Sequence, residues 1–191
     1  PRDRTGWVRS STGTAANGCT ATQSLKLSVS PLQSPTINVS PSAPVICLGS
    51  NTNITAGGAN TYSWSPETGL STTTGATVTA SPAINSTYII SGTAVNGCVN
   101  NKAVSVTVNP LPVVTMPGEL TINAGFPVTI PAVYSANTVN WIWSPATGLS
   151  CANCPTPVAL PKMNTSYQVY FTDDNNCSNT GRILINVLCG K

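Results

Sequence analysis

Cysteine is the reactive residue that this sequence supplies at the most regular spacing, with seven in 191 residues. Cys19, Cys98 and Cys177 stand 79 residues apart, and each closes the same phrase: TGTAANGC (12–19), SGTAVNGC (91–98) and YFTDDNNC (170–177). Thiols can bridge, bind metal or exchange, and context decides among the three. Cys151-Ala152-Asn153-Cys154 has the spacing of a zinc or redox pair. Zinc needs a second pair of ligands and redox exchange needs a helix opening after a strand; here there is no His and no second such pair, and Pro155 and Pro157 follow at once. A local Cys151–Cys154 bridge, worth about 2 kcal/mol, is the expectation.

The remaining cysteines are read against the repeat. Cys47 precedes an early strand and Cys98 follows the hairpin phrase, so a Cys47–Cys98 bridge is expected, closing a loop of about fifty residues and worth roughly 4 kcal/mol. In the next copy Ile122-Asn123-Ala124-Gly125 aligns with Ile46-Cys47-Leu48-Gly49, so Asn123 replaces Cys47 and Cys177 loses that partner. Cys177 and Cys189 lie at opposite ends of one expected strand and cannot meet. Cys19, Cys177 and Cys189 are therefore expected to be unpaired, or bridged to a neighbouring module or chain. Seven cysteines with so little charge point to an oxidising, extracytoplasmic compartment.

Other chemistries find few residues. With no His, the abundant Ser and Thr lack the commonest activating base. Five carboxylates include one close pair, Asp173-Asp174, and adjacent strand residues point to opposite faces. That pair, beside Asn175 and Asn176, is the one calcium candidate, although the other copies have Ala-Ala and Ala-Val there. The net charge of +3 comes from scattered basic residues with no basic stripe, which argues against nucleic acid, and no apolar run is long enough to span a bilayer. No enzyme activity and no cofactor are expected.

The elements that position these residues are strands. Charged residues are 7% of the chain, and Thr, Ser, Asn, Gly and Pro fill the gap. Leu25, Leu27 and Val29 alternate with polar residues, as do Val104, Val106 and Val108, and Ile183, Ile185 and Val187: each reads as a half-buried last strand. Asn17-Gly18 and Asn96-Gly97 predict type I′ hairpin turns ahead of it, with Asn175-Asn176 a weaker version. The offset of 79 also carries WSPETGLS (64–71) onto WSPATGLS (143–150). Tyr62 with Trp64, and Trp141 with Trp143, are two apart and are expected to face the core of a module of six or seven short strands. Further strands are expected near 37–39, 53–56 and 76–80, with counterparts near 113–115, 128–131 and 157–160. Ile142 and Tyr170 alternate out of phase with the core and are surface candidates. The fold expected is all-β, a tandem of immunoglobulin-like β-sandwich modules: 1–31 is the C-terminal hairpin of a truncated preceding module, and 32–110 and 111–191 are whole modules. A chain that opens inside a module suggests a window of a longer polypeptide. Residues 1–11 depart from the repeat, since Arg9 and Ser10 stand where it wants Tyr and Ile.

The succession WSPATGLS (143–150), Pro157-Val158-Ala159, Thr165-Ser166-Tyr167-Gln168-Val169 and Thr172-Asp173-Asp174-Asn175-Asn176-Cys177 resembles the immunoglobulin-like or PKD-like tandem repeats of large secreted surface proteins of Bacteroidetes, including gliding-motility-associated adhesins. The resemblance covers residues 36–189 and the partial repeat 12–31. The Trp-Asp-Phe-Gly-Asp-Gly signature of PKD domains is absent, which favours the immunoglobulin-like label. It implies a bacterial cell-surface or secreted location, export by a dedicated system, and a role as a stalk or in adhesion, with no catalytic or binding residues to transfer. Two other roles stay open: an accessory carbohydrate-binding module of a secreted polysaccharide-degrading enzyme, and a strand-donating subunit of an extracellular filament. Candidate partners are accordingly a surface polysaccharide or another copy of the chain, with homo-polymerisation through residues 12–31.

Overall fold

A computed structural model describes residues 7–27 and 33–188, and every regular element among them is a strand. In the first complete module, β3 (Asn38–Ser40), β5 (Thr52–Gly57) and β7 (Thr77–Ala80) form one sheet in that order. β4 (Val45–Cys47), β9 (Val99–Asn109), β8 (Ser86–Thr93) and β6 (Thr61–Ser65) form the other, also in that order. Alternation along β8 sends Tyr88 and Ile90 inward while Ile89 stays in water, as period-two patterning requires. Ile54, Ala56, Val78 and Ala80 from the first sheet meet Trp64, Tyr88, Ile90, Val104 and Val106 from the second in a single core.

The second module repeats the larger sheet as β11 (Glu119–Asn123), β17 (Ser178–Leu188), β16 (Thr165–Asp173) and β14 (Thr138–Ser144). Its smaller sheet is broken. The segment matching β5 carries Pro131, which has no N–H for a ladder, and the strand splits into β12 (Val128–Thr129) and β13 (Val133–Tyr134). β12 pairs with β15 (Val158–Ala159) and β13 with β10 (Val114–Thr115). A second core of Ile130, Trp143, Tyr167, Val169, Phe171, Ile183 and Ile185 fills this module.

The WSPxTGLS phrase is a packing device. Trp64 Nε1 donates to Gly75 O at 2.9 Å, and the Tyr88 hydroxyl donates to Thr68 O at 2.9 Å. Gly69 adopts φ +78°, and a Cβ there would lie 2.9 Å from Pro82 Cα, so only glycine fits the turn. The second copy repeats both bonds, Trp143 Nε1 to Cys154 O and Tyr167 hydroxyl to Thr147 O, each at 2.9 Å.

Ahead of the modules, β1 (Trp7–Thr14) and β2 (Thr20–Leu27) form a two-stranded antiparallel hairpin. Its register, Trp7 opposite Leu27, is that of Ser86 opposite Val106 shifted by one repeat. Residues 7–11 therefore belong to the hairpin despite Arg9 and Ser10; Val29, the rest of 28–32 and residues 1–6 lie outside the described residues, as does Cys189. The hairpin turns differ from the type I′ expectation. The Gly97 N–H donates to Ala94 O, the Ala94 N–H donates to Cys98 O, and Gly97 takes φ +81° while Asn96 is not in the left-handed region. This is a type I turn closed by a left-handed residue, whose twist also suits a hairpin. Asn176, at φ 60°, takes the glycine's place in the last copy.

Candidate functional site

The most distinctive chemistry lies where the two modules meet. β4 runs parallel to β9 and sets Cys47 level with Asn109, at the far end of that strand. Cys98 immediately precedes the near end. β9 has 11 residues, so at about 3.3 Å per residue the two Cα atoms are roughly 36 Å apart, against the 7 Å or less that a disulfide spans. The expected Cys47–Cys98 bridge does not form. Cys47 is bonded instead to Cys177 of the next module, with Cα atoms 5.5 Å apart at a sequence separation of 130. The end of one module and the hairpin tip of the next are thus joined twice, by the peptide linker and by a disulfide.

Local structure around Cys177 holds it for this role. Cys177 is fully buried. Its N–H donates to Asp173 Oδ1 at 2.8 Å, and Asn175 N–H donates to the same oxygen at 3.0 Å. Asn137 Nδ2 donates to Asp173 Oδ2 at 3.2 Å and to Asp174 Oδ1 at 3.3 Å, and Asn175 Nδ2 also donates to Asp174 Oδ1, at 3.0 Å. Asp173 is 2% exposed, a buried carboxylate satisfied by amide donors. The pair proposed for calcium therefore faces N–H groups, and among the described residues no three His, Cys, Asp or Glu side chains converge on a metal position. The linker is fastened as well: Asn179 Nδ2 donates to Pro112 O at 3.0 Å.

Cys151 and Cys154 are bonded to each other. Their loop replaces Thr72–Gly75 of the first module, and it is Cys154 O that accepts from the core Trp143. The bridge is a clasp over the core tryptophan. Cys98 and Cys19 are unbonded, the first half-buried and the second exposed.

Trp64 and Trp143 are 3% and 2% exposed; Tyr62 and Trp141 are half-buried and pack against the cores. Tyr62 closes its bonds on Ala59, whereas the hydroxyl of Tyr134 and Nε1 of Trp141 find no hydrogen-bond partner among the described residues. The Tyr134 ring meets Trp141 and Phe171 edge-on at 5.8 and 5.1 Å, and burial pushes its phenol up to about 12. Ile142 and Tyr170 face each other across β14 and β16 on the outer sheet surface, 52% and 43% exposed. Ser63 and Ser91 hold those positions in the first module, where Ser91 Oγ donates to Asn101 Oδ1 at 2.7 Å.

Seven strands in two sheets around a buried tryptophan in the first module, and the same four-stranded sheet and core facing a broken smaller sheet in the second, define each as an immunoglobulin-like β-sandwich and the chain as a tandem of them. No family model and no characterised protein sequence matches the chain. Similar solved structures include the insect immune protein hemolin, at 14% identity and TM-score 0.44 over 95% of this chain and 56% of hemolin. The first two Ig domains of DIP-gamma are similar at 10% identity and TM-score 0.41, over 81% of this chain and 98% of that one. The N-terminal eight Ig domains of Down syndrome cell adhesion molecule are similar at 11% and 0.37, over 99% and 33%. This chain thus spans about half the length of the hemolin chain.

Proposed function

We propose that the chain is a stiff run of extracellular adhesive repeats, part of the stalk of a large secreted bacterial surface protein. The observation that carries this reading is the double connection at the junction. A peptide linker alone leaves a hinge, whereas a second covalent tie leaves far less angular freedom between the modules. The disulfide needs an oxidising compartment, which suits an extracellular location. The burial of Trp64 and Trp143 favours a spacer over a carbohydrate-binding module, which would display its aromatic faces. Small-angle scattering tests the reading: the oxidised chain should show a narrow distribution of sizes that broadens on reduction, and equal breadth in both states would overturn it. Firm retention on insoluble polysaccharide would favour the carbohydrate-binding reading instead.

The hairpin supports a second reading. Its strands pair only with each other among the described residues, and residues 10–24 are exposed, so each outer strand edge is open to addition of another strand. Strand exchange between copies would make the chain a filament subunit; a monodisperse monomer at all concentrations would exclude this.

A further inference from the structure

We propose that Cys98 is a docking thiol for a preceding module, forming a disulfide with the early-strand cysteine of another copy placed ahead of it in the same polypeptide. Cys98 and Cys177 are the same residue of the repeat, and Cys177 is bonded to the module before it. The parts that present Cys177 are duplicated around Cys98. The Ala94 N–H donates to Cys98 O at 2.9 Å as the Asp173 N–H does to Cys177 O, so both cysteines close the same turn. Asn96 Oδ1 accepts from the Cys98 N–H at 3.0 Å, the task that Asp173 performs for Cys177. The incoming linker is fastened in the same way, Asn100 Nδ2 donating to Pro35 O at 2.8 Å where Asn179 holds Pro112. What differs is the cover: Cys177 is buried under Cys47, and Cys98 is half-open. Within its own module Cys98 cannot reach Cys47, so its partner belongs to another module.

The repeat fixes where that partner stands. Cys47 is level with Asn109, the last residue of β9, so the partner stands at the equivalent place in the sequence of the preceding copy. In the second module Asn123, level with Leu188, stands at the position that Cys47 holds in the first. Formation of the bond removes one proton and one electron from each thiol. Both electrons go to a disulfide-bearing oxidant, which leaves as a dithiol.

The test keeps the full chain and inserts a second copy of residues 33–111 between residues 32 and 33, in register with the repeat. The proposal, which rests on the stalk reading, predicts a peptide linking Cys47 to Cys98 in a non-reducing digest of the oxidised monomer. That link should be absent from the unmodified chain, and labelling of the following module's Cys98 by a maleimide should be lost. The Cys47–Cys177 peptide in the same digest reports that the junction has folded. If it is present while the following module's Cys98 remains labelled, or is linked only between chains, the docking role is overturned and the stalk reading stands. If neither link forms, both fail.

Discussion

The two complete modules are copies in their cores and differ at their ends. Both bury one tryptophan under a loop, tie one tyrosine to the WSPxTGLS turn, and close the last hairpin with a cysteine. In the first module the loop over the tryptophan is held by Gly75 and the hairpin cysteine is half-open. In the second the loop is clasped by Cys151–Cys154, the acceptor for the cysteine N–H is Asp173, four residues back, and not the asparagine two residues back, and the cysteine is bonded to the neighbour. Shared residues build the sandwich, and divergent ones mark where modules touch each other or solvent.

The largest single effect that can break this symmetry is in the cores. Trp64→Ala and Trp143→Ala should each cost their own module about 3–5 kcal/mol; equal losses in chemical denaturation would show that the clasp adds nothing to the core, and a smaller midpoint shift for Trp143→Ala would show that it compensates. Replacing Cys151 and Cys154 together by Ala should remove about 2 kcal/mol from the second module and leave the first unchanged. Two separate calorimetric transitions, of which one moves, would report this. Asp173→Ala leaves the buried N–H of Cys177 and the part-buried N–H of Asn175 without their acceptor and should cost about 1–2 kcal/mol. Asn96→Ala, with one such N–H at an exposed tip, should cost less.

A smaller difference lies in pH response. Tyr134 has its phenol raised from 10 to about 12 by burial. A group with a raised folded pKa contributes its full stability below pH 10 and loses it as pH rises toward 12, because the unfolded chain ionises first. Burial also raises Tyr88 and Tyr167. Both modules should therefore weaken in alkali, the second more, and Tyr134→Phe should reduce that excess in denaturation midpoints measured between pH 9 and 12.

How far the sequence reveals this arrangement depends on the kind of contact. The cores are legible because alternation and the repeat report them directly: Val104 and Val106, or Ile183 and Ile185, cannot alternate on a strand without facing inward. The junction is not. β4 is three residues long, too short to show a period, and its parallel pairing with β9 is a contact across some sixty residues that no local pattern encodes. Without that register Cys47 appears able to reach Cys98, and the bond goes to the wrong module. The break in the smaller sheet is half-legible, since Pro131 announces a fault in the strand but not that pairing resumes at Val133.

The central claim is that Cys47–Cys177 locks neighbouring modules together, and stretching the chain by its ends tests it most directly. Tension would pass from Cys47 to Cys177 through the disulfide, so the chain between them, a sequence separation of 130, should contribute nothing to the extension of the oxidised chain. At about 3.3–3.6 Å per residue, reduction or Cys177→Ala should release roughly 450 Å of hidden length. Oxidised and reduced chains that extend to the same length would contradict the account.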